Sequence, residues 1–154
     1  MKDLLKKIII CLLPSILNFF VIMLNYNCIN IYNNLDKPLL SLPIMIILIV
    51  WCIFYIAIGI SLYRVCLVDN NKDNYYFYYI IQLLLNYFGM FLFFGFRLYG
   101  LTFIVAIVAM IFVIITTIKS YKKDRVSGII MTIYSLWYMY NIYIVCFIWM
   151  RNEM

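Results

Sequence analysis

Histidine is absent from this chain of 154 residues. That removes the commonest general base near neutral pH, the commonest metal ligand and the usual haem axial ligand. Charge is scarce as well: Asp, Glu, Lys and Arg make up 12% of the chain, about half the share of a soluble domain. The six acidic residues are scattered and no Ser stands beside a base partner, so hydrolytic or metal-assisted catalysis has no constellation to work with. The five cysteines (Cys11, Cys28, Cys52, Cys66 and Cys146) are odd in number and form no CxxC pair. They therefore read as small packing residues, not as a disulfide framework or zinc site. No metal and no cofactor is expected.

What fills the chain instead is apolar: 68% of its residues are hydrophobic and 19% aromatic. One small core cannot hide that much apolar surface, which makes this an integral membrane protein. Backbone groups in hydrocarbon need internal partners, and apolar runs near 20 residues without period-2 alternation select helices over a barrel. Five transmembrane helices in a single domain spanning 1–154 are predicted, at about 5–24, 43–66, 75–94, 101–118 and 126–150. The first run is too long for a signal peptide and is interrupted by Pro14, where a bend is expected, and by Asn18. Between the spans lie a long Asn-rich loop (25–42), a polar link (68–74), a tight turn from Gly95 to Gly100 and a basic loop (119–125). Nine Lys and Arg fall on one side of this arrangement (Lys2, Lys6, Lys7, Arg64, Lys72, Lys119, Lys122, Lys123, Arg125) and three on the other (Lys37, Arg97, Arg151). The imbalance predicts a cytoplasmic N-terminus, and it explains the net charge of +6 without nucleic acid.

The candidate site comes from residues a lipid-facing helix does not need. Within Pro43–Val65, Trp51, Tyr55 and Gly59 recur at i, i+4 and i+8 on one face. Gln82 and Asn86 are amides four apart inside the third span, expensive in hydrocarbon unless paired. Gln82 reads first as interhelical glue; Asn86 stands evenly between glue and ligand binding. On the last span Tyr134, Trp137 and Asn141 share a face, and Tyr140 lies beside them. Tyr32 sits in the long loop, which reads as a lid, with Lys37 able to offer charge at the mouth. Tyr75, Tyr76, Tyr78 and Tyr79 read as an interfacial belt, and Trp149 with Arg151 as an interfacial anchor. Two indoles on different helices, with Tyr and an amide, could sandwich a flat macrocycle and fix one polar edge.

Several blocks carry a resemblance. They are Tyr32-x-x-Leu35-x-Lys37-Pro38 with Pro43; Trp51-x-x-x-Tyr55-x-x-x-Gly59-x-x-x-Tyr63; Gln82-Leu-Leu-Leu-Asn86; and Leu92-Phe-Phe-Gly95-Phe-Arg97 with Gly100-Leu101. Asp124-Arg125-x-x-Gly128 and Tyr134-x-x-Trp137-x-x-Tyr140-x-x-Tyr143 with Ile148-Trp149 complete the series. In this order and spacing, over residues 10–151, the chain resembles the TspO/MBR family of tryptophan-rich sensory proteins, related to the mitochondrial translocator protein. The resemblance implies a five-helix bundle, often a homodimer, in a bacterial cell membrane, with a pocket opening toward the first long loop that takes porphyrins or other lipophilic small molecules. It also implies pocket positions for Tyr32, Trp51, Tyr55, Asn86 and Trp137, to which the helix-face argument adds Tyr140 and Asn141. The chain departs from the family in having only three Trp. Gly89 stands where Trp is frequent, and Asn141 where a small residue is usual.

The leading expectation is thus a membrane receptor or carrier for tetrapyrroles such as protoporphyrin IX, with a homodimer and the lipid bilayer as partners. Two alternatives stay open at this point. One is light-dependent porphyrin breakdown through the indoles Trp51 and Trp137. The other is a small transporter of lipophiles, or a structural membrane protein.

Overall fold

The computed structural model describes residues 2–25, 27–68 and 74–154, with side chains from residue 12 onward. Helix α1 spans Lys2–Leu24, a short α2 Cys28–Asn33, α3 Ile44–Val68 and α4 Tyr75–Met90, which continues as a π-helix over Phe91–Phe96. Helix α5 spans Tyr99–Lys123 and α6 Arg125–Asn152; no strand occurs among the described residues. Four of these are long and apolar enough to cross a membrane: α3, Tyr75–Phe96, α5 and α6. The described side chains of α1 add the shorter apolar stretch Leu12–Leu24. The outer faces are rich in exposed Leu, Ile, Phe and Met, as at Phe20, Ile49, Leu84 and Leu136. Such surface is stable against lipid and not against water.

The main helices form a ring. Helix α1 packs on α3, α3 on α6, α6 on α5 and α5 on α4, while α4 closes back onto α1 through a slighter contact. Lipid tails are as apolar as the helix surfaces, so hydrocarbon burial alone does not hold such a ring together; packing and interhelical hydrogen bonds do. Here hydroxyls reach backbone carbonyls on neighbouring helices. Tyr87 Oη donates to the Pro14 carbonyl (2.7 Å), Tyr79 Oη to the Ile58 carbonyl (3.2 Å), and Ser61 and Ser127 exchange bonds with each other's carbonyl (3.4 and 2.9 Å). Tyr75 and Tyr79 are buried in this core and only Tyr76 and Tyr78 retain exposure, so half of the expected aromatic belt is interior. Gln82 is fully buried with no hydrogen-bond partner for its amide among the described residues, so it is not interhelical glue.

Three further features depart from the sequence expectations: the 119–125 stretch, the long loop and Trp149. The basic 119–125 stretch is no loop: α5 runs helically to Lys123 and Asp124 alone links it to α6. Lys122 and Lys123 then sit in the last turn, where cations suit the helix dipole. The long loop contains α2, which turns Cys28 and Tyr32 inward. The turn near Gly95–Gly100 pivots on Arg97, the one positive-φ non-glycine residue described (φ 57°), whose backbone N–H meets the Leu92 carbonyl. Trp149 is more than an interfacial anchor: its indole stacks on Phe103 (5.5 Å) and lies so close over Gly100 that a β-carbon there would collide with it. The expected polar link at 68–74 falls largely outside the described residues.

At the 119–125 end, Asp124 caps α6 by accepting from the Ser127 N–H (2.8 Å) and takes a two-pronged bond from Arg64 of α3 (2.8 and 3.0 Å). The Arg64 guanidinium holds its carboxyl down to about 2, from an ordinary 3.8, with the Ser127 bonds adding to the effect. A carboxyl whose pKa is lowered on folding contributes stability above its unfolded value and loses it as pH falls through the folded one. The stabilising effect of Asp124 over Asp124→Asn is therefore expected in full above about pH 4 and lost by about pH 2. Because Arg64 is 41% exposed, the difference in Tm is modest, about 3 °C, read by thermal unfolding in detergent across that range. A difference persisting at pH 2 would show that the pairing is not what the carboxylate contributes.

Candidate functional site

At the loop end of the ring the helices enclose a cavity. Measured as space open to the centre of a water molecule it is about 120 Å³, within about 880 Å³ of unfilled space that includes its mouth. Helices α1, α3, α4 with its π-helical extension, α5 and α6 all contribute to the wall, and Tyr32 of α2 closes its top. Along α3 the lining runs from Ile44 to Tyr55, a depth of about 16 Å at helical rise. The π-helix gives the wall its shape here, since its wider turn presents both Phe93 and Phe94.

Of the residues singled out from the sequence, Tyr32, Trp51, Tyr55, Asn86 and Asn141 line this cavity. Trp51 stacks on Tyr55 (centroids 5.5 Å, 29°), and Tyr55 stacks in turn on Tyr87 of α4 (5.4 Å, 27°). Such contacts contribute about 0.5–1.5 kcal/mol each beyond burial and fix the indole face. Asn86 Nδ2 donates to Tyr134 Oη at 2.7 Å. The amide is thereby both interhelical glue and wall, since one of its polar atoms is committed to α6. Asn141 Nδ2 donates to the carbonyl of Trp137 in its own helix (2.7 Å), which turns one of its N–H groups away from a ligand.

Trp137 and Tyr140 do not line the cavity. Trp137 meets Trp51 edge-on (6.5 Å, 73°), stacks on Phe54 (5.9 Å, 21°), and its Nε1 is buried without a partner among the described residues. Two rings in T-shaped contact have no slot between them, so the two indoles do not form a clamp. Trp137 backs Trp51 instead of opposing it. Tyr140 lies at the rim and holds the lid: its hydroxyl accepts from the Leu42 N–H (3.2 Å) and donates to the Leu40 carbonyl (2.9 Å). A second pin joins the Asn152 amide to the backbone of Asp36 in both directions, each bond 3.0 Å.

Lys37 does not offer charge to the mouth. Its ammonium caps the C-terminus of α2, donating to the carbonyls of Tyr32 (2.8 Å) and Asn33 (3.1 Å), over the Tyr32 ring at 4.9 Å. Tyr32 Oη donates to the Leu42 carbonyl (3.3 Å), and burial, with Tyr140 nearby, pushes its pKa up to about 12, so the phenol stays a donor at any physiological pH. Among the described residues no group of three or more Cys, Asp or Glu is placed to hold a metal.

Sequence reasoning missed other parts of the wall. Asn18 of α1 lines the cavity almost fully buried, and its Oδ1 has no hydrogen-bond partner among the described residues. An amide interrupting an apolar run was the available signal. Gly89 and Ala106 also line the cavity, and their missing side chains leave the room open. Tyr138 could have been found from its place one turn beyond Tyr134.

No curated protein matches the chain. A model of the TspO/MBR family matches residues 8–150, nearly the whole length. With that match and four helices of membrane-crossing length and composition, this multi-pass membrane protein belongs to the TspO/MBR family.

Proposed function

We propose that the protein is a membrane receptor or carrier that binds tetrapyrroles, or similarly flat lipophilic molecules, in the cavity under the α2 lid. The observation that carries this reading is the wall itself: an indole and a phenol stacked in register, Trp51 on Tyr55, beside the Asn86 amide in a mostly apolar lining. A mostly apolar pocket with a few placed polar groups is the usual form of a small-molecule site. The enclosed room is smaller than a whole macrocycle, so a porphyrin inserts one edge against Trp51 and Asn86 and leaves the opposite edge in the mouth. Its carboxylates stay at that outer edge, toward water. We further propose a homodimer in a bacterial cell membrane with the N-terminus cytoplasmic, following the nine-to-three imbalance of Lys and Arg.

Titration of protoporphyrin IX into the purified protein, followed by tryptophan quenching, tests the site. Trp51→Phe is expected to weaken binding about five- to tenfold, because a smaller ring covers less of the ligand. Trp137→Phe, one layer back, is expected to leave the affinity within about twofold. The reverse order of effects, or none from Trp51→Phe, would move the site away from this cavity.

A further inference from the structure

We propose that Asn18 selects ligands that bring a hydrogen-bond donor, an N–H or O–H, into the cavity, and that a carboxylate is not accepted there. The inference rests on the cavity being the ligand site. Asn18 is 1% exposed at the cavity wall, and its Oδ1 has no partner among the described residues. Among the described residues its Nδ2 finds Cys52 Sγ alone, at 3.9 Å. A buried amide oxygen left unpaired is costly anywhere, and inside a bundle surrounded by hydrocarbon no lipid can supply the donor. Asn141 of α6 also lines the cavity and has committed its Nδ2 to the Trp137 carbonyl.

The remaining polar lining does not offset this bias. Tyrosine hydroxyls serve as donor or acceptor and so do not discriminate. Thr102 Oγ1 already donates to the Leu98 carbonyl (2.8 Å). Trp51 is the one side chain of the lining that can only donate, Asn86 has committed an N–H to Tyr134, and no Lys or Arg is among the described residues that line the cavity. The ammonium of Lys37, in the lid, is committed to the carbonyls of α2. A carboxylate drawn inside would lose its water without gaining a cation, whereas an N–H finds the waiting Asn18 oxygen.

Carbazole and fluorene test this directly, since the two rings share a shape and differ in one N–H. Equilibrium dialysis against the full-length protein in detergent, corrected for partition into empty micelles, is expected to give carbazole about tenfold the affinity of fluorene. A carboxylated fluorene is expected to bind more weakly than fluorene. In Asn18→Leu the carbazole preference, read as the ratio of the two affinities, is expected to fall below about threefold. Equal affinities in the wild-type protein, which needs no variant to fold, would overturn the proposal, as would an undiminished preference in Asn18→Leu. Protoporphyrin serves as the separate check. If it binds while donor preference is absent, the cavity reading stands and this inference falls. If neither it nor the probes bind, both fall.

Discussion

Replacing Gly89 with Phe is expected to lower the affinity for protoporphyrin by about 100-fold or more while leaving the fold intact. Gly89 lies on the cavity wall, and a β-carbon built there meets only Val105 Cγ1, at 4.0 Å. A benzyl group therefore enters open space and not neighbouring atoms. A cavity of about 150 Å³ holds a benzene molecule, so the ring would take up most of the room available here. The helix itself gains, since glycine in a helix interior costs about 0.5–1 kcal/mol relative to alanine. Thermal unfolding should show an unchanged or raised Tm beside lost binding. That combination separates a blocked site from a broken protein. Unchanged affinity in a folded Gly89→Phe protein would mean that the ligand sits elsewhere.

The second large effect is expected at the lid. Tyr140 and Asn152 hold the loop that follows α2, at Asp36, Leu40 and Leu42, through two hydrogen bonds each. At about 0.5 kcal/mol for each partly exposed bond, removing all four costs about 2 kcal/mol, or about 30-fold in the lid equilibrium. Tyr140→Phe combined with Asn152→Ala should speed ligand release by about that factor, measured by stopped-flow displacement. The equilibrium affinity should change less, because entry is eased along with exit. A release rate unmoved by the double substitution would show that the ligand does not leave past α2.

Sequence alone revealed the helices well and their neighbours poorly. Apolar length marks the spans, and Pro43 where the second begins, because hydrocarbon imposes the length directly. Polar composition misleads where a helix leaves the membrane: Lys119 to Lys123 read as loop, yet a helix needs no apolar residues once outside lipid. The six residues of α2 escape notice because Asn-rich segments favour turns, and only its packing of Cys28 and Tyr32 reveals the helix.

For the site, periodicity placed Trp51 and Tyr55 together on the face that lines the cavity. The same reasoning grouped Trp137 with Asn141, although the structure sends Asn141 to the cavity and Trp137 against Phe54. Sharing a helical face fixes a direction and not which neighbour a side chain packs against, so residues three and four apart can diverge to wall and backing. Lys37 illustrates a different limit. Its charge is plain in the sequence, but whether it meets a ligand or a helix terminus depends on where α2 ends. Asn18 shows the converse: an amide noted as an interruption of an apolar run lines the wall, since burial makes a polar group consequential only once its neighbours are known.

The most direct measurement isolates one indole. Trp137 and Trp149 are the other two tryptophans of the chain, so replacing both with Phe leaves Trp51 as the only tryptophan fluorophore. Protoporphyrin should then quench that emission saturably, with an affinity within about twofold of the wild-type protein, and Gly89→Phe in the same background should abolish the saturable component. Quenching that rises linearly without saturation, or that survives Gly89→Phe, would contradict a ligand site against Trp51.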